Sequence, residues 1–148
     1  MELITVRELF KNTEKYVDQE IEIGGWVRNK RPSKQFGFIV LNDGTYFTPV
    51  QVVYNDSIEN FQEISKINVG AALIVKGTLV LTPNAKQPFE IQAASVTVEG
   101  PSSGEYPLQP KKHSMEFLRS ITHLRPRANT FQAVFRVRSL AAMAIHQF

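Results

Sequence analysis

Cysteine is absent from this chain, so disulfides and thiolate metal sites are excluded. Its three histidines, His113, His123 and His146, have no metal-ligand spacing and no cysteine beside them, which argues against a zinc site. No hydrophobic run approaches the roughly 18 residues that a membrane-spanning helix needs. Met1 is followed by Glu2 and soon by further charged residues, not by a basic stretch and an apolar one, so no secretory signal is expected. These absences predict a soluble, cytoplasmic chain with no membrane partner and no metal.

A general excess of basic charge is also missing where it would matter most. The net charge is +3 over 148 residues, but residues 1–100 hold ten Lys and Arg against twelve Asp and Glu. Residues 101–148 hold seven against two. Any positive surface in the first hundred residues must therefore be local. One candidate exists there, since Arg28, Lys30, Arg31 and Lys34 fall within seven residues with no acid among them.

What is present is a succession of short alternating segments. Thr5-Val-Arg-Glu8 reads as a capping box opening a short helix through Leu9 and Phe10. Ile21 to Arg28 alternates as a strand, interrupted by a Gly24-Gly25 pair suited to a bulge. Phe36 to Leu41 is a second strand ending in the turn signal Asn42-Asp-Gly44, and Val50 to Tyr54 a third. Asp56 to Val69 is predicted to be a helix capped by Asp56, with Ile58, Phe61 and Ile64 on one face. Ala72–Leu81 and Phe89–Val98 complete five strands around a loop at 82–88. Three strands, a helix and two strands is the element order of the five-stranded OB-fold barrel, here with an N-terminal helix added, so the fold is expected to be mainly β. Ubiquitin-like and SH3-like arrangements share parts of that order.

Gly100 to Gly104 reads as a linker, and Ser114 to Ser120 as a short helix. A longer helix is expected from Asn129 or Thr130, with Phe131, Val134, Phe135, Val137, Ala141, Ala142 and Ile145 forming a wide apolar stripe. The expected division is a barrel at 1–100, a linker or hinge at 101–128, and that helix at 129–148.

Strand alternation sorts the barrel's side chains without further information. Ile39, Leu41, Val50, Val52, Tyr54, Phe89, Ile91 and Ala93 point inward. Phe36, Phe38, Gln51, Val53, Glu90 and Gln92 point outward, and Arg28 and Lys30 share a parity opposite Val27. That outer set suits single-stranded RNA: a Phe on which a base stacks, an amide and a carboxylate for base edges, and cations for phosphates.

These residues also resemble a known family. Gly25-Trp-Val-Arg28, Phe38-Ile39 with Asn42-Asp-Gly44, Val50-Gln-Val52 and Pro88-Phe-Glu-Ile91 resemble the anticodon-binding barrel of the asparaginyl, aspartyl and lysyl class II tRNA synthetases. Lys112 to Arg119, His123-Leu-Arg-Pro-Arg127 and Asn129-Thr-Phe131 resemble the asparaginyl members in particular. The resemblance implies that Phe38 stacks on the central uridine of the anticodon GUU of tRNA(Asn). It implies that Gln51 bonds the first anticodon base, that Glu90 is a second base reader, and that Arg28 lies near the anticodon backbone, where the pattern of residues already sets Arg28, Lys30 and Arg31 to hold phosphates. Val53 stands where some aspartyl relatives carry an aromatic. The helix from Asn129 would open motif 1, placing Phe131, Val134, Phe135 and Arg138 at a homodimer interface. ATP and Mg2+ would serve the full-length parent, whose motifs 2 and 3 are not in these 148 residues, so this portion is expected to be inactive alone and to bind no cofactor. Two other readings remain: an aspartyl relative, or a general single-strand binder. A third makes the barrel a scaffold and the 131–145 stripe a docking surface for a partner helix. DNA is not an expected partner.

Overall fold

The computed structural model describes residues 2–148, which fall into two compact units divided between Pro110 and Lys111. The first unit begins with helices α1 (Val6–Lys11) and α2 (Thr13–Tyr16). Strands β1 (Glu20–Pro32), β2 (Phe36–Asn42) and β3 (Val50–Asn55) follow, then helix α3 (Phe61–Lys66), β4 (Ala72–Leu81) and β5 (Phe89–Gly100). The strands close into a barrel in the order β1-β2-β3-β5-β4, the OB-fold arrangement expected from the element order. β1 is long enough to serve two neighbours, pairing β4 through Glu20–Trp26 and β2 through Trp26–Pro32. The barrel closes where β3 meets β5 in parallel, Val52 beside Ile91 and Val53 beside Gln92.

Alternation places the core as expected: Ile39, Leu41, Val50, Val52, Tyr54, Phe89 and Ile91 are at most 1% exposed. Each such side chain taken from water contributes about 1.5–3 kcal/mol. Val6 and Leu9 of α1 and Ile64 of α3 join the same core. The turn Asn42-Asp-Gly44 holds α1 in place. Gly44 takes φ 82°, a conformation that favours glycine. Asp43 accepts hydrogen bonds from the amide of Val6 at 2.8 Å and from the Thr45 hydroxyl. A carboxylate is thereby set at the start of α1, where the free amides and the helix dipole favour it.

Local readings differ from the structure at four points in this unit. Thr5 accepts from the Glu8 amide as expected, but the Glu8 carboxylate accepts from Asn12 and Tyr16, so the reciprocal half of the capping box is not made. The Gly24-Gly25 pair is in regular register with Ile74 and Leu73. The bulge falls instead between Val27 and Asn29, with Arg28 as the extra residue. Gly25 serves close approach, since a Cβ there would lie 2.9 Å from the Asn42 carbonyl oxygen. The helix expected over 56–69 spans only Phe61–Lys66. Asn55 turns the chain ahead of it by accepting from the Ser57 amide, and Asn60 spends its amide on the Val96 carbonyl. Finally, the strand expected to end at Val98 runs to Gly100. Beyond it the chain still touches the barrel, Asn68 donating to the Ser102 carbonyl at 2.8 Å.

The second unit holds α4 (Met115–Ser120), a 3-10 turn at Arg125–Arg127 and α5 (Asn129–Gln147). Ser114 caps α4 by accepting from the Phe117 amide. Ala128, not Asn129 or Thr130, stands at the N-cap of α5 and contributes no side-chain cap. The Arg125 guanidinium lies over the rings of Phe131 and Phe135, at 5.1 and 5.9 Å. Val134, Val137, Leu140 and Ile145 are exposed, as is Arg138. No helix among the described residues is long and apolar enough to cross a membrane.

Candidate nucleic-acid interface

Paired residues on neighbouring strands point to the same side of a sheet, so the register alone lays out the barrel's outer face. One row runs Arg31, Phe38, Val53, Gln92 and Thr78 across β1, β2, β3, β5 and β4. The next runs Asn29, Val40, Gln51, Glu90 and Val80. Gln51 and Glu90 are neighbours across the parallel seam, and the Gln51 amide nitrogen donates to Glu90 Oε2 at 3.3 Å. Three of the residues expected from the sequence, Phe38, Gln51 and Glu90, thus meet on one surface.

The aromatic part of that surface is built at the start of β2. Phe36 is 45% exposed and stands edge-on to Phe38, with ring centroids 5.6 Å apart and planes at 86°. Arg31 places its guanidinium over the Phe38 ring at 5.6 Å, a cation–π contact. Between the two rings lies Gly37, which is buried and paired with Tyr54. A Cβ at Gly37 would fall on the Tyr54 ring, 2.6 Å from its Cε1. The bare backbone here gives the Tyr54 ring room against β2 while the flanking phenylalanines point out.

The cations separate, and the bulge is the reason. With one extra residue at Arg28, Asn29 pairs with Val40, Lys30 with Ile39 and Arg31 with Phe38. Ile39 is a core residue, so Lys30 is turned toward the barrel's end instead of sharing a face with Arg28. Its ammonium donates to the Ser65 carbonyl at 3.2 Å, in the last turn of α3, where a cation suits the helix dipole. Burial pushes the Lys30 pKa below the ordinary lysine value of 10.5. Arg28 sits in the bulge, and burial lowers its pKa, opposed by the Tyr106 phenol nearby. Only Arg31 of the cluster stands in the aromatic row. Asn29 belongs to the outer face and was missed in the sequence, because only the bulge reveals its parity.

The face thus sets aromatic rings beside hydrogen-bonding groups on a closed sheet. Among the described residues no three His, Cys, Asp or Glu side chains stand together as a metal site.

A family model described as an OB-fold nucleic acid binding domain matches residues 21–99, and the chain belongs to that family. The match covers the five strands and α3 almost exactly from wall to wall. Within that family, the whole chain shows strong homology to asparagine–tRNA ligase: it is 61% identical over 148 residues to the one from Alkaliphilus oremlandii and 59% identical to the one from Clostridium kluyveri. In each case all of this chain is matched, and it spans 32% of the relative's length. The asparaginyl-tRNA synthetase of Pyrococcus horikoshii, solved with asparaginyl-adenylate, has the same fold. Its TM-score is 0.84 at 22% identity, over 99% of this chain and 34% of that one.

Proposed function

We propose that this chain reads the anticodon loop of tRNA(Asn) as part of an asparagine–tRNA ligase. The observation that carries the reading is the outer face itself, where Phe36, Phe38 and Arg31 adjoin the Gln51–Glu90 pair. The homology to asparagine–tRNA ligases supports it. An anticodon base splayed from its loop stacks on Phe38, held by about 1–3 kcal/mol of base–aromatic contact. Gln51, held beside Glu90, then meets a Watson–Crick edge that an unpaired loop leaves open. Arg31, and Arg28 from the bulge, sit along the loop's phosphates and fix its position without reading sequence. Lys30, bonded to Ser65, acts chiefly by closing the barrel's end.

In this reading residues 1–100 are the anticodon domain, 101–128 the hinge, and 129–148 the opening of the catalytic domain. Phe131, Val134, Phe135 and Arg138 of α5 lie on the surface that joins two copies of the parent. The chain spans 32% of the ligases it matches, and the ATP- and Mg2+-dependent steps are assigned to the rest of the parent, in the cytoplasm, so the chain alone forms no adenylate.

The test is binding to two anticodon stem-loops at one fixed moderate salt, one carrying GUU and the other a changed central base. Tighter binding to GUU by about tenfold, or 1.4 kcal/mol, abolished by Phe38→Ala, is the expected result. Equal binding to both loops defeats the reading and leaves a general single-strand binder.

A further inference from the structure

We infer that Glu90 is a positioning residue, which fixes the orientation of the Gln51 amide and thereby limits the site to bases that offer a ring N–H. The inference rests on the anticodon reading and assigns Glu90 a different role within it, acting through Gln51 and not directly on RNA.

The argument starts from donors and acceptors. A free glutamine side chain presents a carbonyl oxygen and an amide nitrogen of nearly equal size and can exchange them by rotating half a turn. It can therefore accept from a uracil or guanine ring N–H, or donate to the bare ring nitrogen of cytosine or adenine. Such a residue on an open face reads no base. Here the Gln51 amide lies against the Glu90 carboxylate, Nε2 to Oε2 at 3.3 Å. An ionised carboxylate only accepts, so the Gln51 atom facing it must be the nitrogen. On the other side, its row neighbour is Val40, which neither donates nor accepts. One neighbour therefore sets the polarity and nothing opposes it.

The consequence is a Gln51 edge of fixed polarity. One Gln51 N–H is spent on Glu90, while Gln51 Oε1 is left facing outward as an acceptor. One N–H remains. Such an edge complements guanine, with its ring N–H and exocyclic amine, and uracil, with its ring N–H between two carbonyls. Adenine and cytosine present an unprotonated ring nitrogen in the same place, which an acceptor repels.

The experiment measures binding of the chain to hairpins with identical stems, carrying each of the four bases in turn at the first and the central anticodon positions. The chains compared are wild type, Glu90→Gln, Gln51→Ala and the double variant. Glu90→Gln keeps size and hydrogen bonding but supplies both a donor and an acceptor, so the Gln51 amide becomes free to turn over. Wild type is expected to favour guanine and uracil over cytosine and adenine by about tenfold at one position. Glu90→Gln should cut that preference to threefold or less, and should change nothing further once Gln51 is alanine. If Glu90→Gln leaves the preference intact, the inference is overturned. It is overturned equally if the same loss appears in the Gln51→Ala background, because Glu90 would then touch the base itself.

A second measurement needs no RNA and separates this inference from the anticodon reading. Nitrogen relaxation of the Gln51 side-chain amide in the free chain should report an ordered group in wild type and a mobile one in Glu90→Ala. Equal mobility in both removes the positioning role, whatever the chain does with RNA. An ordered amide in wild type alone, with no base preference in any hairpin, would sink the anticodon reading while leaving the Gln51–Glu90 coupling standing.

Discussion

Replacing Gly37 by alanine adds one methyl group to a position that has no room for it. The new Cβ would fall on the Tyr54 ring, 2.6 Å from Cε1, where carbon atoms in contact need about 3.5 Å or more. Tyr54 cannot swing away cheaply, being 1% exposed, tilted against Phe61 at 5.6 Å and within reach of the Ser65 hydroxyl. The strain must go into bending β2 away from β3 or turning Tyr54 off its rotamer. Overpacking of this kind costs about 1–3 kcal/mol. For a domain of this size each 1 kcal/mol lowers Tm by roughly 4–8 °C, so a fall of about 4–24 °C is expected in a thermal melt followed by circular dichroism. The change also acts on function, because Gly37 lies between Phe36 and Phe38 and any local shift of β2 moves both rings. Tyr54→Leu alone should destabilise by leaving a void, but in combination with Gly37→Ala the losses should fall short of adding, since the smaller side chain admits the methyl group. An unchanged Tm in Gly37→Ala, or strictly additive losses in the pair, would refute the close packing of Tyr54 on this glycine.

Four further outcomes are expected. Phe38→Ala should weaken binding of the GUU stem-loop by about 1–3 kcal/mol, read by anisotropy, while Tm changes little because the ring lies on the outer face. Arg31→Gln should lower affinity for all loops alike and reduce the slope of log affinity against log salt by about one, whereas Lys30→Gln should leave that slope unchanged and lower Tm instead. Nitrogen-detected titration of Lys30 should give a midpoint below 10.5 because burial disfavours its charged form. The unfolded chain then binds more protons between that midpoint and 10.5, so stability contributed by this group rises with pH across that window, its cost being complete at lower pH; Lys30→Met should flatten the rise. Val134→Lys on α5 should weaken any concentration-dependent association seen by sedimentation, and association that survives it would place the contact elsewhere than this face.

The parts of the fold legible in the sequence are those governed by a two-residue period. β4 alternates without interruption from Ala72 to Leu81, and its bounds are found as expected. The inward set from Ile39 to Ile91 follows the same rule, and so does the meeting of Phe38, Gln51 and Glu90 on the opposite face. What alternation cannot show is a partner far along the chain. Asn60 looks like an ordinary helix residue after Asp56, yet its amide is drawn to the Val96 carbonyl, 36 positions away, and α3 begins only after it. Gly24 and Gly25 advertise a bulge by composition, but Gly25 is there because the Asn42 backbone passes against it. The same holds for the Gln51–Glu90 bond. Both residues were legible as outward-facing, but that one sets the other's polarity depends on the parallel β3–β5 pairing that brings positions 39 residues apart side by side.

The bulge at Arg28 shows how one extra residue distributes charge between folding and binding. Strict alternation from Val27 would turn Arg28 and Lys30 outward and leave Arg31 with the parity of the core. A guanidinium there would face the barrel's interior, where desolvating a charge is costly. Inserting Arg28 into the register reverses every parity after it. Lys30 then reaches the Ser65 carbonyl in the last turn of α3, where the helix dipole suits a cation. Arg31 moves out to lie over Phe38, and Asn29 joins the row of Gln51 and Glu90. The cluster that reads as a single basic patch in the sequence is thus resolved into a residue that closes the barrel and one that equips its aromatic face. Substitutions at the two should accordingly fail in different assays, Lys30 in the melt and Arg31 in the salt titration.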